Sequence, residues 1–96
     1  MSLRVTLVCQ VAPNQFSTLQ PFLVENLPNV RSFDGCMGVT VYFNEDTHSL
    51  LLEEEWLSQQ QHGNYLQSIT DNGIMAKLGS FLAGPPTIEY FSKQVI

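Results

Sequence analysis

The residues best suited to chemistry lie near the end of a strand-like segment, residues 50–57, where a carboxylate and an indole are two positions apart. Side chains two apart on a β-strand share a face, so Glu54 and Trp56 should point to the same side of the sheet. A carboxylate in apolar surroundings has a raised pKa and can accept a hydroxyl proton, and an indole can stack on a flat aromatic ligand. The pair therefore predicts one wall of a pocket. The plainer alternatives are core packing for Trp56, and an ion pair with Arg31 or an exposed position for Glu54.

Four more polar side chains are candidates for the same site. Tyr65 is able to donate a hydrogen bond to a substrate oxygen, or is simply half-buried on an amphipathic helix. His62 titrates near neutrality but stands among three Gln and a Gly, which is typical of a solvated surface. Arg31 either orients an anionic oxygen or caps a helix, and His48 falls in a turn at the surface. We predict catalytic roles for Glu54, Trp56 and Tyr65, and substrate binding for Arg31 and His62.

The cysteines and histidines do not have the spacing of a metal site, so we expect no metal. The absence of a secretory pattern favours reduced thiols at Cys9 and Cys36 over a disulfide. Cys36 has no histidine close to it in sequence, which favours a small buried thiol over a nucleophile.

Length and charge limit the classes of function. The chain has 96 residues, enough for a single domain over residues 1–96. Its 4 Lys and Arg against 9 Asp and Glu form no basic cluster, so neither a nucleic-acid partner nor a charged membrane surface is expected. No apolar run approaches the roughly 18 residues of a membrane span and no signal peptide is evident, so the predicted location is cytoplasmic. Charged residues make up 14% of the chain, below the usual value of roughly 25%, which favours a homodimer.

Four segments show the alternation or apolar runs of strands: residues 3–11, 36–43, 50–57 and 87–91. A helical pattern between residues 14 and 33 contains Pro21 and Pro28, which predict a kink or two shorter helices. Ser58 and Gln61 fit a capping box for a second helix to about residue 68.

A further amphipathic stretch follows a weak point at Gly73. The order β-α-β-β-α-β predicts an α+β, ferredoxin-like fold with an antiparallel sheet. Its first strand lies between the third and fourth, and its helices cover one face. The open face would pack against a second sheet.

Several short motifs occur in a set order: Pro13-Asn14, Arg31, Gly35-Cys36, Glu54-x-Trp56-x-Ser58, Pro86 and Tyr90-Phe91. Their order and spacing resemble the antibiotic biosynthesis monooxygenase (ABM) family over residues 5–91. The resemblance implies a dimeric α/β barrel made of one ABM-like domain per chain. It also implies oxidation of a quinol or related hydroxylated aromatic by molecular oxygen, with no metal or flavin cofactor, because the substrate anion itself reduces oxygen.

One position departs from the family pattern. Many members have a His nine residues after the Trp, where this chain has Tyr65, and His62 is expected on a different side of the helix. This leaves the general base open between Glu54 and Tyr65. A non-catalytic module that binds a small molecule or a protein on the same scaffold is the alternative, because one fold hosts many functions.

Overall fold

The computed structural model describes residues 2–96. It contains four strands and three helices, and the predicted β-α-β-β-α-β order is confirmed with the second helical segment divided in two. In chain order the elements are β1 (Leu3–Gln10), α1 (Phe16–Arg31), β2 (Cys36–Asn44), β3 (Ser49–Trp56), α2 (Gln59–Asp71), α3 (Ile74–Gly79) and β4 (Thr87–Ser92).

The four strands form one antiparallel sheet in the order β2-β3-β1-β4, as predicted. Glu54 of β3 pairs with Val5 of β1 on one side and with Val39 of β2 on the other. The carboxylate is therefore carried by one of the two central strands of the sheet. Strand β3 also separates Cys9 from Cys36, and both are free thiols.

The prolines predict a kink or two shorter helices, and the second alternative is wrong, because α1 runs as one helix from Phe16 to Arg31 with Pro21 and Pro28 inside it. The fixed φ of proline lies in the helical range, but each interior proline removes one hydrogen bond and its ring crowds the preceding turn. Packing of an apolar stripe against the sheet offsets that loss. The buried residues of this stripe are Leu19, Leu23 and Val30.

The start of α2 is fixed as the sequence predicts. Ser58 is the N-cap, and its Oγ accepts a hydrogen bond from the backbone N–H of Gln61 at 3.1 Å. Gly35, in the turn before β2, has a φ of +95°, and a Cβ placed there would lie 2.6 Å from Cδ of Gln61. Position 35 therefore requires glycine for two reasons: its backbone conformation, and the lack of space for a Cβ next to the first turn of α2.

The helices cover one face of the sheet and leave the other open. The core joins residues of β1, β2 and β3 to residues of all three helices. On the open face, Val8, Tyr42 and Phe91 are exposed large side chains. This is the face on which a second copy was predicted, and the pairing stays a prediction. Among the helices of residues 2–96, none has the length and apolar character needed to span a membrane.

Candidate functional site

Glu54 and Trp56 lie on the same face of β3, as predicted, and contact each other directly. The indole Nε1 donates a hydrogen bond to Oε1 of Glu54 at 2.7 Å. Glu54 is 3% exposed and Trp56 is 0% exposed. An exposed position for Glu54 is therefore wrong. The ion pair with Arg31 is also wrong, because the guanidinium Nη2 instead donates to the backbone carbonyl of Val39 at 3.0 Å.

His62 is buried beside this carboxylate, so the expectation of a solvated surface histidine is wrong. The residue is 1% exposed, and its Nε2 lies 3.8 Å from Oε1 of Glu54. Its Nδ1 is 2.7 Å from the hydroxyl oxygen of Tyr90 on β4. The cap at Ser58 sets the rotation of α2, which turns this one polar residue toward the sheet while most of the glutamines around it face outward.

Trp56 is enclosed by other rings. The ring centroids of Phe33, His62 and Tyr65 lie 6.2, 5.1 and 5.5 Å from that of the indole. His62 and Tyr65 therefore both face Trp56, and their predicted placement on different sides of α2 is wrong. Residues three apart on a helix are neighbours on its surface. Because the indole is 0% exposed, stacking on a ligand would require these rings to move.

A cavity of about 50 Å³ lies between the three helices and β3. Its polar wall contains Glu54, Tyr65 and Asn26, and the remaining lining is apolar. The apolar side chains that line it are Phe22, Leu23, Leu27, Val30, Leu52, Ile69, Ile74 and Leu78. Both polar contacts that the structure gives Glu54 use Oε1, one to Trp56 and one to His62.

Burial controls the protonation of the site. It raises the pKa of Glu54 above its usual range, against a smaller opposing effect of the hydrogen bond from Trp56. It lowers the pKa of His62. The pKa of Tyr65 rises to about 12 through burial and then through the nearby charges of Glu54 and Cys36. At neutral pH the imidazole is therefore uncharged and the phenol keeps its proton, so the 3.8 Å contact between His62 and Glu54 is not an ion pair.

Arg31 and Cys36 lie beside the site without lining the cavity. Arg31 is exposed at the end of α1, and its charge opposes the rise that burial produces in the pKa of Cys36. Within residues 2–96, no three His, Cys, Asp or Glu side chains are grouped so that they could hold a metal ion.

Tyr90 is the residue of the site that sequence reasoning missed, having entered only as part of a family motif. The predicted strand order could have identified it. Tyr90 pairs with Val5, the same β1 residue that pairs with Glu54 on the other side. In an antiparallel sheet, paired residues point to the same face. Once the strand order is predicted, Tyr90 must point to the face that carries Glu54.

No protein-family model matches the chain, and no curated protein matches it at a significant level. Solved structures match it over nearly its full length. An antibiotic biosynthesis monooxygenase superposes with a TM-score of 0.84 at 12% identity, covering 97% of this chain and 99% of the other. A monooxygenase from the gene ActVA-Orf6 of Streptomyces coelicolor, solved in complex with the ligand nanaomycin D, gives 0.79 at 18% identity over 99% and 90%.

Rv0793 from Mycobacterium tuberculosis gives a TM-score of 0.83 at 21% identity, covering 100% of this chain and 98% of that one. The chain has the fold of the antibiotic biosynthesis monooxygenases. At these identities the likeness establishes the ABM fold, and the function has to be argued from the site.

Proposed function

We propose that the protein is a cofactor-independent monooxygenase that oxidises a quinol or related hydroxylated aromatic with molecular oxygen. The observation that carries the proposal is the buried carboxylate of Glu54, held by Trp56 at the wall of an apolar cavity. Such a carboxylate is a better base than one in water, because burial raises its pKa toward the working pH. The ABM fold, shared with a monooxygenase solved with nanaomycin D, supports the same class of reaction.

In this proposal Glu54 accepts the proton of the substrate hydroxyl, and the resulting aromatic anion supplies electrons to oxygen. One oxygen atom enters the product and the other leaves as water, so the substrate itself is the reductant. Tyr65 remains protonated and donates a hydrogen bond to a substrate oxygen. Trp56 fixes the position of the carboxylate rather than stacking on the substrate. The apolar lining keeps water from the reduced-oxygen intermediates.

The proposal requires the cavity to open. A volume of about 50 Å³ holds a few water molecules, whereas ligand sites occupy roughly 300 to 1,000 Å³. The short helix α3 supplies Ile74 and Leu78 to the lining and is joined to α2 through Gly73, whose φ is +85°. Movement of α3 about this junction is the simplest way to admit a planar ring. Arg31 lies outside the lining, so the proposal gives it no contact with substrate.

Anaerobic mixing with a reduced naphthoquinol, followed by admission of oxygen, tests the proposal. The wild type should accelerate oxygen uptake, and labelled oxygen gas should place one labelled atom in the product. Glu54→Gln keeps the shape and the acceptor for Trp56 but removes the base, so its rate should fall by about 10² to 10⁴-fold. Glu53→Gln, on the opposite face of β3, is the matched control and should retain the wild-type rate. Oxidation at the background rate by the wild type would refute the proposal for this substrate class.

A non-catalytic binding module is the second candidate. The enclosed indole and the small cavity favour it over an enzyme that stacks its substrate on Trp56. Because Trp56 is the only tryptophan, its fluorescence reports on the site directly. Quenching by flat hydroxylated aromatics under nitrogen, with no oxidation after oxygen is admitted, would favour the module.

The proposed pairing of two copies would cover the open face that carries Val8, Tyr42 and Phe91. A homodimer would remove these apolar side chains from water. A sizing column with light scattering tests it, and a monomer at micromolar concentration would contradict it. We also propose a cytoplasmic location, in keeping with two free thiols.

A further inference from the structure

A chain of contacts leads from Glu54 through two residues outside the cavity lining, His62 and Tyr90, to the edge of the sheet. Oε1 of Glu54 faces Nε2 of His62 at 3.8 Å, and Nδ1 of His62 faces the hydroxyl of Tyr90 at 2.7 Å. Tyr90 belongs to the edge strand β4 and is 36% exposed. The imidazole therefore has one nitrogen directed at the buried acid and the other at a hydroxyl near the surface. An imidazole in such a position can take a proton at one nitrogen and release one from the other.

We propose that His62 and Tyr90 form a proton relay that connects Glu54 with solvent through side chains outside the lining of the substrate cavity. The inference rests on the proposed function, in which Glu54 receives the substrate proton. A base that is 3% exposed and faces an apolar cavity has no direct exchange with bulk water. The relay gives it that exchange while the cavity stays dry. His62 and Tyr90 then act through Glu54 and are positioning residues in this scheme.

The transfer balances as a concerted shift along the line. With its hydrogen on Nδ1, His62 donates to the Tyr90 oxygen and offers the lone pair of Nε2 to protonated Glu54. The Glu54 O–H bond breaks as Nε2–H forms. At the other nitrogen Nδ1–H breaks as the Tyr90 oxygen gains that hydrogen, and the original Tyr90 hydroxyl hydrogen passes to water. The reverse shift returns a proton when a reduced-oxygen intermediate needs one, and it restores the starting tautomer.

The longest step is the one from Glu54 to His62. A separation of 3.8 Å exceeds a hydrogen bond by about 1 Å, so the two side chains must approach during transfer. Contacts of this kind are often long without substrate and tighten in the complex. The titratable groups that face the relay are Tyr65 on α2 and Cys36 on β2, with Arg31 beyond Cys36. Burial keeps the phenol and the thiol protonated near neutral pH, so neither competes as an acceptor.

Nitrogen-15 NMR of the histidine rings tests the relay without substrate. The chain has two histidines, so His48→Asn identifies the signals of His62. The wild type should show a neutral His62 with one dominant tautomer and a pKa below that of free imidazole. Tyr90→Phe removes only the hydroxyl and should shift the tautomer ratio several-fold, and Glu54→Gln should change the titration. The matched control Tyr42→Phe, on the open face, should change neither. A His62 that is indifferent to Tyr90→Phe would overturn the relay.

Steady-state kinetics of the variants provide a second test of the relay. Tyr90→Phe should lower kcat for naphthoquinol oxidation about 10- to 100-fold with KM within about twofold, and it should change the solvent isotope effect. Tyr42→Phe should match the wild type. A wild type that shows the NMR shifts but no oxidation would refute the proposed function while supporting the proton connection. Oxidation at full rate by Tyr90→Phe would refute the relay and leave the proposed function standing.

Discussion

Replacing Glu54 with glutamine should stabilise the protein while it abolishes the proposed activity. A carboxylate that is 3% exposed gives up most of its hydration, at a cost of several kcal/mol when ionised. One charge-assisted hydrogen bond from Trp56 returns about 1.5 to 3 kcal/mol. Glutamine keeps the acceptor for the indole and carries no charge. We therefore expect Glu54→Gln to raise the free energy of unfolding by about 2 kcal/mol when wild-type Glu54 is ionised, which corresponds to about 8 to 16 °C in Tm.

The pH dependence supplies the check. Because burial raises the folded pKa of Glu54, the folded protein binds the extra proton, and wild-type stability is lost as the pH rises through that pKa. The advantage of Glu54→Gln should be small at acid pH, where the wild-type carboxyl is protonated, and should grow as the pH rises through the raised folded pKa. Thermal unfolding of both proteins across this range measures it. Glu53→Gln breaks an exposed pair with Arg4 and should lose about 0.2 to 1 kcal/mol at every pH. A Glu54→Gln protein that is less stable than the wild type at high pH would refute the reasoning.

Four further substitutions test the packing and protonation of the site. Trp56→Phe should cost about 2 to 4 kcal/mol in urea unfolding, because it leaves a void and deprives the buried carboxylate of its donor; a loss under about 1 kcal/mol would contradict this. Wild-type stability should fall as the pH drops below about 6.5, because His62 takes up a proton in the unfolded chain while burial disfavours protonation in the folded protein. His62→Gln should lack this loss of stability at acid pH. Identical pH profiles for the two proteins would contradict the buried, neutral state of His62. Gly35→Ala should lower the free energy of unfolding by about 2 kcal/mol, through backbone strain and a clash with Gln61. Gly63→Ala, at a helical position with open space around it, should raise the free energy of unfolding by about 0.5 to 1 kcal/mol. Equal effects at the two positions would contradict the special role of glycine at position 35.

The strand pattern and the strand order follow from local sequence, because alternation and turn residues act over a few positions. The pairing of β1 with both β3 and β4 was predicted from the element order alone. The helix α1 shows where local rules fail. Two prolines predict a kink or two shorter helices, but the helix stays in one piece because its apolar stripe packs against residues far away in sequence.

The candidate site was predictable only in part, for the same reason. The spacing of Glu54 and Trp56 fixes their common face, so their contact follows from the sequence. His62 was misjudged because its neighbours in sequence are polar, whereas its burial depends on how α2 lies on the sheet. Tyr90 is 28 residues from His62, and no local pattern brings the two together. The size of the cavity depends on how side chains of three helices pack together, and the sequence pattern does not predict that packing.

Carbon-13 NMR titration of the Glu54 carboxyl, with and without a planar hydroxylated aromatic, tests most directly the claim that a buried base faces a ligand cavity. We predict a pKa above the usual value of about 4.3 and a further change in both pKa and chemical shift when the aromatic binds. Glu54→Gln identifies the signal. An ordinary pKa, or a carboxyl signal that stays unchanged at saturating ligand, would contradict the account.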